Sequence, residues 1–141
     1  MRKMGLDFGS KTVGVAISDP LAMTAQGIET IRYEQHKMHE LLNRLDVLIQ
    51  EYEVDHIVVG LPKHMNGSVG ERGAASLAFA KQLAKRTGLA VDLFDERLTT
   101  MAAERTLLEA DVSRKKRKKV IDKMAAVLIL QNYLDQHRNG G

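Results

Sequence analysis

An α/β fold around a five-stranded mixed sheet is what this sequence predicts, and three observations carry the prediction. Apolar residues alternate with period two from Met4 to Ile17 across a central turn, the mark of a hairpin. Two short apolar runs, at 56–60 and 90–94, each follow a segment whose apolar residues recur at helical spacing. No internal repeat or linker divides the 141 residues, which fit one domain over 1–137 with a frayed tail at 138–141.

In the hairpin, Met4, Leu6 and Phe8 fall on one face and Gly5, Asp7 and Gly9 on the other. After a turn at Ser10-Lys11, Val13, Val15 and Ile17 continue the bulky face, with Gly14, Ala16 and Ser18 opposite. Asp7 is the one carboxylate on the bare face. Such a face can seat a closely packed helix, with Asp7 tying down the turn. It can equally leave room for a metal ion and a phosphate, and the hairpin alone does not choose.

Asp19-Pro20 opens a turn, and residues 25–31 read as a third strand antiparallel to the second. From His36 the period changes, with Met38, Leu41, Leu42, Leu45, Leu48 and Ile49 marking an amphipathic helix that ends near Tyr52. Residues 56–60 read as a parallel, central strand buried on both faces. Residues 61–73, with Pro62, three glycines and the Asn66-Gly67 turn signal, read as a loop of a length that is usually functional. A second helix is expected over 74–86, with Leu77, Ala78 and Leu83 inward and Gly88 as its stop. A fifth strand follows at 90–94. Thr99 or Thr100 can cap a third helix through Glu109, and the basic run 114–119 leads into a last helix reaching about His137. Three strands followed by alternating helices and strands make a mixed sheet with helices for both faces.

Net charge is only +3, but residues 111–123 hold seven Lys or Arg against two Asp, which leaves the remainder slightly acidic. Concentrated positive charge fits a polyanion, and its structural alternative is a solvated helix start. The longest apolar run, 124–130, is too short to span a bilayer, so no membrane partner is expected. The first residues lead straight into a strand without a signal-peptide apolar region, so a cytoplasmic location is expected. The absence of cysteine excludes disulfides and thiolate metal sites. Neither a Walker phosphate loop nor a Rossmann glycine fingerprint is present.

Two further acid positions accompany Asp7. Asp95-Glu96-Arg97 ends the fifth strand, where ligands of open α/β sheets bind; taken alone, pairing with Arg97 or with the next helix's dipole explains these acids better. Asp122 shares a helical stripe with Ala125, Ala126, Ile129 and Tyr133, and Val120, Met124, Val127 and Leu134 lie opposite, so the helix reads as apolar nearly all round and largely buried. A buried carboxylate needs a cation or strong hydrogen-bond donors. Lys118, one turn earlier, is one candidate, and a metal shared with Asp7 is the other. Carboxylates from a first strand, a later strand end and a terminal helix are what two-metal hydrolysis of a phosphodiester requires, with two Mg²⁺ or Mn²⁺ ions about 3.5–4 Å apart.

With these residues in hand, the chain resembles the YqgF family of RuvC-like Holliday junction resolvases and pre-16S rRNA nucleases over residues 4–134. The motifs are Gly-Leu-Asp-Phe-Gly at 5–9, Gly-Leu-Pro at 60–62, Asp-Glu-Arg-Leu-Thr-Thr at 95–100 and Ile-Asp-Lys-Met-Ala-Ala at 121–126. The resemblance implies an RNase H-like fold and a catalytic, metal-holding set of Asp7, Glu96 and Asp122, with Asp95 beside it as a further metal candidate. It also implies a bacterial cytoplasmic role in maturing the 5′ end of 16S rRNA. A fourth acid of the kind found in junction resolvases is not evident after Asp122, where Lys123, Ala125 and Ala126 follow.

The nuclease expectation gives the remaining polar residues work. Arg114, Lys115, Lys116, Arg117, Lys118 and Lys119 would hold phosphates. Lys63, His64, Asn66 and Arg72 would close on the substrate from the loop, and Lys11 and Arg97 flank the acids. The histidines at 36, 39, 56 and 137 show no pairing that marks a site, and six Phe and Tyr residues are too few for an extended stacking platform. Structured RNA, pre-16S rRNA foremost, free or in ribosomal precursor particles, is the expected partner of a monomer or homodimer, with a DNA junction as the alternative. An inert nucleic-acid-binding module of ribosome assembly or transcription is a reading of another class. An actin-like ATPase hairpin is a third, and it needs a second lobe for which this chain lacks length.

Overall fold

The alternating segment pairs as β1 (Arg2–Phe8) and β2 (Thr12–Ser18), antiparallel, with Leu6 opposite Val15 and Asp7 opposite Gly14. The computed structural model describes residues 1–97 and 113–139. β3 (Ala25–Arg32) runs antiparallel to β2, and a single 3-10 turn, Gln35–Lys37, leads into α1 (Met38–Glu51). Then come β4 (Val54–Leu61), α2 (Glu71–Thr87), β5 (Ala90–Asp95) and α3 (Arg114–Asn139). The strand order is β3-β2-β1-β4-β5, with β4 parallel to both β1 and β5. Parallel neighbours need crossovers. α1 supplies the first and α2 the second, so the expected mixed sheet forms; β4 is parallel and interior as expected, but the central strand is β1, because β2 and β3 add on its other side.

Period two sorts the sheet's side chains between two cores. On one face Met4, Leu6, Phe8, Val13, Val15 and Ile17 meet Leu41, Leu42, Leu45 and Leu48 of α1 and Phe79 and Leu83 of α2. Each leucine removed from water stabilises the fold by roughly 1.5–3 kcal/mol. On the other face Ala16, Val58 and Phe94 meet Ala126, Ile129, Leu130, Tyr133 and Leu134 of α3. The small residues of β1 decide how near α3 can come. A Cβ on Gly5 would lie 2.6 Å from Leu130 Cβ and 3.1 Å from the Ala126 carbonyl oxygen, so only glycine allows this approach.

Several elements differ from expectation. α2 begins at Glu71, which shortens the loop to residues 62–70. Its first turn was hidden because Glu71 and Arg72 are exposed and Gly73 sits where a Cβ would be 2.7 Å from the Pro62 carbonyl oxygen. The inward stripe of α2 is Gly73, Ser76, Phe79, Ala80 and Leu83; Ala78 is exposed and Leu77 half-buried. Alanines all round this helix blur its period. Gly88 does end it, at φ 72°, with its N–H donating to the Ala84 carbonyl. α3 is buried on one side only, Met124 being 42% exposed, and it continues to Asn139, past the expected end at His137. The helix expected from Thr99 or Thr100 to Glu109 lies outside the described residues.

Candidate active site

Asp7 stands on the α3 face of β1, half-buried between Gly5 and Gly9. Its cross-strand partner Gly14 would carry a Cβ 3.6 Å from Asp7 Cβ and 3.4 Å from Ala126 Cβ, so α3 passes directly above this pair. The bare face of the hairpin thus seats a helix at Gly5, with the half-buried Asp7 carboxylate two residues on.

Glu96 reaches the same space from the far side of β4. In the parallel register Leu6 pairs with Val59 and Gly60 with Phe94, which puts Gly60 between Asp7 on β1 and the residues that follow β5. A Cβ on Gly60 would lie 2.9 Å from Glu96 Cδ and 2.5 Å from Ile129 Cδ1. The missing side chain is the opening through which Glu96 faces Asp7. Burial is the first cause that pushes the Glu96 carboxyl up to about 7, and the Asp7 charge is the second; Arg72 opposes both.

Asp95 and Glu96, adjacent in sequence, have separate surroundings. Arg97 grips Asp95 with its Nε and Nη2, the latter donating at 2.7 Å, and this guanidinium holds the Asp95 carboxyl below its usual range. Lys63 Nζ is 4.0 Å from the same carboxylate, and Arg97 Nη1 donates to the Met65 carbonyl oxygen. Asp95 and Arg97 therefore fasten the loop at 62–70 to the end of the sheet. Inside that loop Asn66 Oδ1 accepts from the Ser68 N–H and hydroxyl, and the exposed His64 packs its ring against Gly70. Arg72, in the first turn of α2, donates from Nη2 to the Phe8 carbonyl oxygen at 2.6 Å, one residue beyond Asp7.

The α3 backbone carries residue 122 one turn before Ala126, in the stripe that Ala126, Ile129 and Tyr133 bury against the sheet. The side chains of Asp122, Arg114, Arg117, Lys118 and Lys119 are outside the described ones. Lys115 and Lys116 are exposed, and Ser113 Oγ accepts the Lys116 N–H at the start of α3. Among the described residues no three His, Asp or Glu side chains gather as a metal cluster; the described carboxylate pair is Asp7 and Glu96. Lys11 is exposed on the β1–β2 turn.

Three structural contributors escaped the sequence reading. Gly60 was legible only as part of the Gly-Leu-Pro motif. Arg72 looked like a loop cation and is a clamp on β1. His56, for which no partner was foreseen, meets Asp92 Oδ2 at 2.9 Å, and Tyr133 donates to the same oxygen at 2.5 Å while stacking on His137. This cluster ties the C-terminal half of α3 to β4 and β5, at the opposite end of the strands from Asp7.

Comparison with known proteins places this geometry in a family. A family model described as RuvX, Holliday junction resolvase, matches residues 1–136. A Listeria monocytogenes protein named "Putative pre-16S rRNA nuclease" is 63% identical over 135 residues, spanning 96% of this chain and 98% of the relative. One of the same name from Oceanobacillus iheyensis is 59% identical over 136 residues, 96% of this chain and 99% of the relative. Among solved structures, T. thermophilus RuvC in complex with a Holliday junction substrate superposes with TM-score 0.69 at 14% identity, covering 99% of this chain and 96% of that one. The fowlpox virus Holliday junction resolvase gives TM-score 0.52 at 16% identity, covering 96% and 99%. These two show the fold, which is RuvC-like and hence RNase H-like, as the sequence implied. The matched length and the identity to curated relatives show that the chain belongs to the RuvX family.

Proposed function

We propose that this chain is a divalent-metal-dependent nuclease that hydrolyses phosphodiesters of structured RNA in the cytoplasm, and that its task is processing the 5′ end of pre-16S rRNA. The observation that carries the reading is the carboxylate pair facing across Gly60, in which burial and the Asp7 charge raise Glu96. Two half-buried acids that repel each other are an electrostatic cost unless a cation occupies the space between them. Hard oxygen donors of this kind fit Mg²⁺ or Mn²⁺. The name of the 63% identical relative supports the RNA assignment.

Asp7, Glu96 and Asp122 would hold the ions. Bound there, such ions would supply charge neutralisation at the scissile phosphate and a lowered pKa for the water they bind. The chain's own residues orient the rest. Arg72 fixes the strand end that bears Asp7 and places a cation beside Glu96, and Gly60 keeps the space open. Asp95 takes a positioning role, holding the substrate-side loop through Arg97. Lys115 and Lys116, on the start of α3 beyond Asp122, would contact phosphates without reading bases.

Thermal unfolding against Mg²⁺ and Mn²⁺, beside cleavage of a pre-16S 5′ leader RNA and a four-way DNA junction, tests this reading. Wild type should gain stability with metal by linkage, and Asp7→Asn, Glu96→Gln and Asp122→Asn should each lose most of that gain. The leader should be cut and the junction spared; cleavage of the junction alone would transfer the function to junction resolution. Melting indifferent to metal with and without RNA, and both substrates intact at high enzyme concentration, would leave a binding module instead.

A further inference from the structure

Residues 64–68, in the loop beside the acid pair, form a tight turn. His64 donates its N–H to the Ser68 carbonyl oxygen at 2.9 Å and accepts the Gly67 N–H at 2.8 Å, with Gly67 at φ 90°. Asn66 Oδ1 accepts both the N–H and the hydroxyl of Ser68 across the turn. From outside, Arg97 Nη1 donates to the Met65 carbonyl oxygen at 3.2 Å while the rest of its guanidinium grips Asp95. Arg97 directly follows Glu96, so the turn stands one arginine's length from the acid pair. A turn closed on itself and tied to the end of the sheet is a fixed object beside the site.

The same bonds decide what the turn can offer a substrate. Of the loop's polar residues, Asn66 is engaged within the turn, Lys63 lies 4.0 Å from the Asp95 carboxylate, and the His64 ring packs against Gly70. What projects is Met65, 74% exposed at the corner of the turn, with Val69 43% exposed at its foot. One exposed apolar side chain is ordinary on a protein surface. This one is held out by a rigid support next to two half-buried carboxylates.

A thioether cannot hold a phosphate. The apolar surfaces of a structured RNA are the faces of its bases, and stacking covers those until something parts them. Apolar side chains, methionine among them, do so by entering between base steps, and the sulfur makes favourable contacts with aromatic rings. We infer that Met65 is a fixed wedge, whose side chain enters the base stack of the substrate within a few nucleotides of the scissile phosphate and parts two stacked bases there. The inference rests on the nuclease reading for its substrate and adds to it that the strand is unstacked and bent beside the cut. Bending there gives the backbone a way down to carboxylates that lie half-buried at the end of the sheet.

The test is a hairpin RNA from a pre-16S 5′ leader carrying 2-aminopurine at successive paired positions, titrated with the full chain in EDTA and, by stopped flow ahead of cleavage, in Mg²⁺. Wild type should raise the fluorescence severalfold at one position or two adjacent ones, as unstacking does. Met65→Ala should abolish the rise with RNA still bound. Met65→Leu, which conserves volume and apolarity, should keep it, and Met65→Gln, of similar length but polar, should lose it; a merely structural role for the turn would not separate those two. Melting of all three variants and its response to metal should match wild type, because the side chain stands in solvent. A rise as large in Met65→Ala as in wild type, or RNA bound and cut by wild type with no rise at any position, would overturn the wedge and leave the nuclease reading standing. A rise that depends on Met65 in a protein that never cleaves would sustain the wedge and overturn the nuclease reading. Wild type that binds no RNA in either condition would overturn both.

Discussion

Gly60 is the residue on which the acid pair depends. A methyl group there would meet Glu96 Cδ and Ile129 Cδ1, both of them ends of flexible side chains. Gly60→Ala should therefore cost only about 1–3 kcal/mol of stability as overpacking, while displacing Glu96 from Asp7. The expected result is a folded protein whose RNA cleavage falls at least tenfold, checked by melting and by initial rates at saturating metal. Glu96 gives the complementary prediction. Its folded pKa, about 7, lies above the ordinary 4.5, so the folded state binds a proton that the unfolded chain has already released between those values. Stability of the metal-free protein is then higher at low pH and falls as pH rises from about 4.5 to 7, by as much as about 3 kcal/mol. Glu96→Gln should flatten that fall in melts made in EDTA. A slope unchanged in the variant would mean that another group carries it.

At the scale of elements, α3 has to be held so that its N-terminal half lies over Asp7. Its C-terminal half is fastened twice. Gln131 accepts the Ala25 N–H and donates to the Met23 carbonyl, and Tyr133 donates to Asp92. The Tyr133 hydroxyl is the first cause, and His56 a further one, that keeps the Asp92 carboxyl below its usual range. A lowered pKa contributes stability above the unfolded value and loses it as pH falls through the folded one. Tyr133→Phe keeps the ring and removes the donor, so its melting temperature should drop by a few degrees at pH 7, for a loss of about 1 kcal/mol. Below about pH 4 the gap to wild type should narrow; a constant gap would assign the loss to packing. None of this anchor was legible in the sequence, because His56, Asp92 and Tyr133 are far apart along the chain and meet only through the β4–β5 register. What was legible is what is local. Alternation in β1 and β2, the leucine stripe of α1 and the Gly88 stop read directly, whereas the start and inward face of α2 were obscured by Gly73 and its many alanines.

Across the whole molecule, the candidate site's features collect at one end of the sheet. The C-terminal ends of β1 and β5 bring Asp7 and Glu96 there, the loop at 62–70 is fastened beside them, and α3 runs on from residue 122 toward its basic start. The resemblance implied Asp7, Glu96 and Asp122 with Asp95 as a further candidate; the folded geometry adds that the Asp7 charge acts on Glu96 and that Arg97 takes Asp95. Charge is arranged in the same sense. The chain outside 111–123 is slightly acidic, so long-range attraction for a polyanion comes from the stretch that opens α3. If Lys115 and Lys116, both exposed, meet phosphates, each contact releases counterions and contributes about 0.7 to the slope of log affinity against log salt for single strands. Lys115→Ala with Lys116→Ala should lower that slope by about 1.4 and weaken binding most at low salt. Cleavage at saturating RNA should stay within about threefold of wild type, because the acids are untouched and a contact made equally in ground and transition states changes binding more than turnover. A salt slope unchanged in the double variant would make the start of α3 a solvated helix end.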